Sequence, residues 1–123
     1  MSSLTTGVDI IEIERVREIM ERWGDRFLRR VYTKAELVAA RGRVSELAVR
    51  FAGKEAVMKA LGTGIRGVAW RDIEIVPNRR GKPLVNLYGG AKERAALLGL
   101  KELAISLSHS EQYALASVVG ETP

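Results

Sequence analysis

Cysteine is absent from this 123-residue chain, which removes disulfides, thiolate metal sites and thiol nucleophiles together and points to a reducing compartment. No stretch of about eighteen apolar residues occurs, so nothing reads as a membrane span. The first residues, Met1 to Thr6, have neither the basic start nor the apolar run of a secretory signal. A soluble, cytoplasmic protein is therefore expected. There is no Pro-rich, Ser-rich or single-sign charged linker, no internal repeat and no low-complexity segment, and residues 1–123 read as one domain. Hydrophobic residues make up 46%, enough for a core, although so short a chain leaves much surface exposed unless it associates. The net charge of +5 and pI of about 9.9 attract polyanions, nucleotides or acidic proteins at long range without choosing among them.

Gly7 to Ile11 is a short β-branched run that predicts a strand. Ile13, Val16, Met20, Trp23 and Phe27 then recur at helical spacing, which predicts one amphipathic helix. Thr33 and Glu36 have the spacing of a capping box, so Glu36 reads as a cap on a helix reaching about Arg41. A longer helix is expected from about Ser45 to Leu61, with Leu47, Phe51, Met58 and Leu61 buried and Gly62 ending it. Ala48, Ala52, Ala56 and Ala60 recur every fourth residue along it, which lets another backbone approach closely. Gly53 interrupts it at a cost of about 1 kcal/mol relative to Ala, so a neighbour is expected to need the missing side chain. Residues 72–76 and 84–88 alternate as the strands of a hairpin, Ala91 to Leu98 reads as a helix closed by Gly99, and residues 103–107 and 113–119 read as two further strands. Helices gather early and antiparallel strands late, which predicts an α+β domain: an antiparallel sheet against a long central helix.

Several side chains carry potential chemistry. Asp9 interrupts an apolar run, and a partly buried carboxylate needs a cation, a donor or a metal to offset its desolvation. Glu55 and Lys59 are four apart and form either a surface pair or part of a site; Arg50 and Lys54 crowd the same stretch. His109, the single histidine, lies between Ser108 and Ser110 at a strand end, and is either hydrogen-bonded structure or a functional loop residue. No Gly-x-Ser-x-Gly elbow accompanies it, which removes the serine-hydrolase reading. Gly62-Thr63-Gly64 follows a helix instead of opening one, so on its own it reads as a C-cap and not a phosphate loop. Arg15, Arg22, Arg26 and Arg29 fall within an arc of about 60° on one continuous helix, an organised basic stripe suited to an acidic partner.

The order of Gly7-Val8-Asp9-Ile10, Arg50-Phe51-Ala52-Gly53-Lys54-Glu55-Ala56, Lys59-Ala60-Leu61-Gly62-Thr63-Gly64, Gly81-Lys82-Pro83 and Ser106-Leu107-Ser108-His109-Ser110 resembles the holo-[acyl-carrier-protein] synthases, the short bacterial branch of the 4'-phosphopantetheinyl transferases. The resemblance spans nearly the whole chain and departs at Thr5, where the family often has glycine, and at Gly53, where it usually has alanine. It implies a trimeric α+β fold with coenzyme A bound at each subunit contact. It implies Mg²⁺ on Asp9 and Glu55, Lys59 and His109 as the catalytic residues with Lys59 at the reacting diphosphate, and Arg50, Lys54 and His109 at coenzyme A phosphates. Thr63 and Gly64 would also line the coenzyme A site, Lys82 and Pro83 would border the adenosine end, and Arg15, Arg22, Arg26 and Arg29 would meet an acyl carrier protein. The implied reaction moves the phosphopantetheine arm to a carrier serine and releases 3',5'-ADP, so no nucleophile on the enzyme is needed. A nucleic-acid-binding module is the competing class, but it gives Asp9 and Glu55 no role and the chain shows no nucleic-acid motif. An Mg²⁺-dependent nucleotide hydrolase would differ only in its product.

Overall fold

The computed structural model describes residues 2–123. Strand β1 runs from Ser3 to Glu12, longer than the Gly7–Ile11 segment predicted, because β5 (Tyr113–Thr122) pairs with it antiparallel along its whole length. β4 (Leu103–His109) pairs with the other edge of β5, giving a three-stranded sheet in the order β1-β5-β4. β2 (Ile73–Pro77) and β3 (Pro83–Leu87) form the expected hairpin as a separate two-stranded sheet. At its turn the Asn78 carboxamide oxygen accepts from the Arg80 and Lys82 amides at 2.9 and 3.0 Å.

Helix α4 (Val44–Leu61) packs on β1, β4 and β5 and against the hairpin. Its buried Ala48, Ala52, Ala56 and Ala60 form a small-residue stripe. A side chain at Gly7 would drive into the Ala56 carbonyl oxygen, so strand and helix backbones touch directly at that point. Thr5 adds a 2.6 Å hydrogen bond from its hydroxyl to the Ala60 carbonyl, a contact that glycine there could not make. Gly53 answers a similar demand: a Cβ would meet the side chains of Ile75, Ile105 and Leu107. α3 (Lys34–Ala40) opens with the predicted capping box, and α5 (Gly89–Leu98) ends at Gly99.

The single amphipathic helix expected over residues 13–27 is in fact two. α1 (Ile13–Trp23) stops at Gly24, whose φ of 54° and ψ of −131° lie outside the helical region, and α2 (Asp25–Val31) restarts in a new direction. The apolar spacing continues across the break, with Val16 and Val31 buried and Met20 and Phe27 half-buried, so periodicity alone does not reveal it. Trp23, expected on the buried side, is 49% exposed. Phe51 is only half-buried and stacks on Trp70 at 4.9 Å. Among the described residues no helix is long and apolar enough to cross a membrane.

Candidate active site

Successive residues on a helix point about 100° apart, and on α4 this separates neighbours with very different fates. Glu55 faces β1 and shares with Asp9 a cleft of about 330 Å³, walled by Ile10, Ile11, Ile19 and Phe51 and edged by Arg15. Lys59, one turn further on, reaches across to β1, where its ammonium donates to the Val8 carbonyl at 2.8 Å and to Asp9 Oδ1 at 3.3 Å. Its ion pair is therefore made with Asp9, across 50 residues of sequence, and the local Glu55–Lys59 pairing open from sequence gives way to this one. Burial pushes the Glu55 carboxyl above the usual carboxylate range, Asp9 pushes it the same way, and Lys59 only partly offsets them. Two carboxylates crowded into one cleft with one ammonium form a site that favours a further positive charge.

This donor set fits Mg²⁺. Among the described residues no cluster of three or more His, Cys, Asp or Glu exists, and Mg²⁺ typically takes one or two protein carboxylates and completes its octahedron with waters and substrate phosphates.

Lys54, adjacent to Glu55, points the other way. Its side chain is wholly buried, 2.7 Å from Glu36 Oε1, and donates to the Trp70 and Ile73 carbonyls. Burial lowers its pKa, against which Glu36 acts through both charge and hydrogen bonding. The phosphate role expected for Lys54 is thus corrected to a structural one, since no face of the ammonium is open to a ligand. Glu36 is more than a cap: besides closing the box on the Thr33 amide at 2.9 Å, it accepts from the Ile75 amide at 2.9 Å.

A second cleft, of about 580 Å³, brings together Arg50, Lys82, Pro83 and His109, with Arg43 and Glu46 beside them. Arg50 is almost covered, donating to the Ile75 carbonyl at 3.0 Å and to Glu46 Oε1 at 3.1 Å. It presents a fixed cationic wall and not a flexible arm. Lys82 and His109 are exposed. Arg43 and Glu46 escaped the sequence reading; the i,i+4 spacing of Glu46 and Arg50 was the available signal. Thr63 and Gly64 line neither cleft; they sit in the loop after α4, past Lys59. The break at Gly24 also splits the arginine stripe, with Arg15 and Arg22 on α1 and Arg26 and Arg29 on α2. The single-helix arc therefore does not describe it, although all four remain exposed.

Residues 5–118 match the family model described as the 4'-phosphopantetheinyl transferase superfamily. The chain belongs to that superfamily, and within it to the holo-[acyl-carrier-protein] synthases. It is 49% identical to the holo-[acyl-carrier-protein] synthase of Herpetosiphon aurantiacus, over 95% of this chain and 98% of that one. It is 48% identical to the Dehalococcoides mccartyi enzyme of the same name, over 96% and 98%. The fold matches the Helicobacter pylori holo-[acyl-carrier-protein] synthase, solved in complex with coenzyme A, with a TM-score of 0.86 and 34% identity over 94% of this chain and 98% of that one.

Proposed function

We propose that this chain transfers the 4'-phosphopantetheine arm of coenzyme A to a serine of an apo acyl carrier protein, with Mg²⁺ as cofactor and 3',5'-ADP as the second product, in the cytoplasmic synthesis of fatty acids. The observation that carries the reading is the Asp9–Glu55 cleft with Lys59 at its edge. Asp9 and Glu55 would hold the metal, which when bound supplies positive charge to the diphosphate oxygens. Lys59, 54% exposed, is free to swing from Asp9 to the departing diphosphate and neutralise charge as the bridging oxygen leaves. The carrier's own serine attacks the phosphorus, so this chain's residues position and stabilise; they form no covalent intermediate. Arg50, Lys82, Pro83 and His109, gathered in one cleft, suit the nucleotide end of coenzyme A, with Thr63 and Gly64 on the loop beyond Lys59. Arg15, at the edge of the Asp9–Glu55 cleft, would meet the carrier first, with Arg22, Arg26 and Arg29 extending that surface.

The active unit we propose is a homotrimer with sites at the subunit contacts. Support comes from the sheet face turned away from α4, where Leu4, Val8 and Ile10 of β1 and Leu115 and Val119 of β5 are exposed side by side. A contiguous apolar patch of this kind marks an interface. Incubating the chain with apo carrier protein, coenzyme A and Mg²⁺ should add about 340 Da to the carrier by mass spectrometry, the mass of the transferred arm. Free phosphopantetheine with an unmodified carrier would assign a hydrolase instead.

A further inference from the structure

Arg22 and Arg26 belong to different helices, yet both guanidiniums lie over one indole ring, that of Trp23, at 5.5 and 5.9 Å from its centre. Trp23 is the last residue of α1, and the turn at Gly24 brings the first turn of α2 back onto its exposed ring. Neither guanidinium has a carboxylate partner: the ion pairs among the described residues are Arg17–Glu14, Arg50–Glu46, Lys54–Glu36 and Lys59–Asp9. Two neighbouring cations repel, and the negative face of the indole is the feature that attracts both. A guanidinium that lies within reach of a ring face and has no carboxylate partner keeps N–H donors available, and these can take a carboxylate through two parallel hydrogen bonds. Trp23 also walls an apolar groove of about 550 Å³ with Arg26, Phe27 and Arg30, and this groove shares Ile19 and Phe51 with the catalytic cleft.

We propose that Trp23 is a positioning residue for the acceptor protein: its ring pre-orients Arg22 and Arg26 so that a pair of carboxylates on the carrier docks without first ordering two free arginine side chains. The partner chemistry follows from charge complementarity, since two unpaired guanidiniums facing outward select a surface bearing clustered carboxylates. Pre-orientation lowers the entropic cost of association and leaves the chemical step untouched. The inference rests on the carrier-docking reading of α1 and α2.

The test is steady-state transfer with apo carrier and coenzyme A varied separately. Trp23→Leu keeps apolar bulk but removes the π face, and should raise the KM for carrier by about fivefold to tenfold with kcat and the KM for coenzyme A unchanged. Trp23→Phe, which keeps a ring, should recover most of the loss. In an Arg22→Ala/Arg26→Ala background, Trp23→Leu should add almost nothing, because the ring acts through those two side chains. An equal effect of Trp23→Leu in both backgrounds would overturn the positioning role. A normal carrier KM in Trp23→Leu, alongside a raised one in the double arginine variant, would overturn it too while sparing the docking surface. If the double arginine variant itself binds carrier normally, the docking reading fails and the inference with it. Loss of binding to a DNA duplex in Trp23→Leu with unchanged transfer would assign the platform to a nucleic acid and also overturn it.

Discussion

Replacing Lys54 by methionine removes the cation from a pair in which both side chains are fully buried, 2.7 Å apart. The Glu36 carboxylate keeps its bonds from the Thr33 and Ile75 amides but loses its ion-pair partner, and the Trp70 and Ile73 carbonyls lose a donor. Breaking a buried ion pair from one side costs about 3–5 kcal/mol, against a total stability of about 5–15 kcal/mol for a domain of ordinary size. At about 3–5 °C per kcal/mol for a chain of this length, the melting temperature should fall by roughly 10–25 °C. Thermal and urea unfolding at fixed protomer concentration are the assays, since subunit association would otherwise shift both midpoints. Glu36→Gln should also destabilise, and the double variant should cost less than the sum of the two singles by about 1–3 kcal/mol, because the two changes remove the same interaction. A Lys54→Met protein with the wild-type midpoint and a raised KM for coenzyme A would refute this reasoning and return the ammonium to the ligand.

On the proposed assignment of both carboxylates to one charge-stabilising metal, Asp9→Ala and Glu55→Ala should each slow transfer by at least about a hundredfold with the fold retained; a double variant losing the sum of the two free energies would break the shared-metal assignment. Lys59→Ala should chiefly lower kcat, and a change confined to coenzyme A binding would move Lys59 from chemistry to recognition. Gly7→Ala should raise the Mg²⁺ concentration needed for half-maximal transfer, since its methyl group would push β1 away from Ala56; an unchanged Mg²⁺ titration would show that this contact does not set the spacing of the carboxylates. Sedimentation should give a mass near three times 13.6 kDa, and an active monomer would contradict sites shared between subunits.

Local signals found most of the elements because each rests on a local cause: the Thr33–Glu36 capping box closes as its spacing implies, the alternation at 72–76 and 84–88 pairs as a hairpin whose strands run over 73–77 and 83–87, and Gly62 and Gly99 end α4 and α5 in the left-handed conformation. At Gly24 the same kind of stop signal, a glycine after the last helical residue, was masked. The apolar period runs through it, and a glycine inside a helix costs too little to announce a change of direction. Exposure of Trp23 follows from that break and was equally invisible.

The pairing of Asp9 and Glu55 in the candidate site was legible for a different reason. Asp9 stands two residues from Gly7, and Glu55 stands beside Ala56, so the close approach of strand and helix backbones at Gly7 and Ala56 also brings the two carboxylates into a common cleft. Glycine, alanine and the two acids are thus one feature read twice, once as packing and once as chemistry. Lys54 shows where such reading stops. Cations near Glu55 were countable from the sequence, but their direction was not: one step along the helix turns Lys54 from the cleft to the buried Glu36. Only the arrival of α3 and the hairpin on that side of α4 decides this, and those contacts lie 18 or more residues away in the chain.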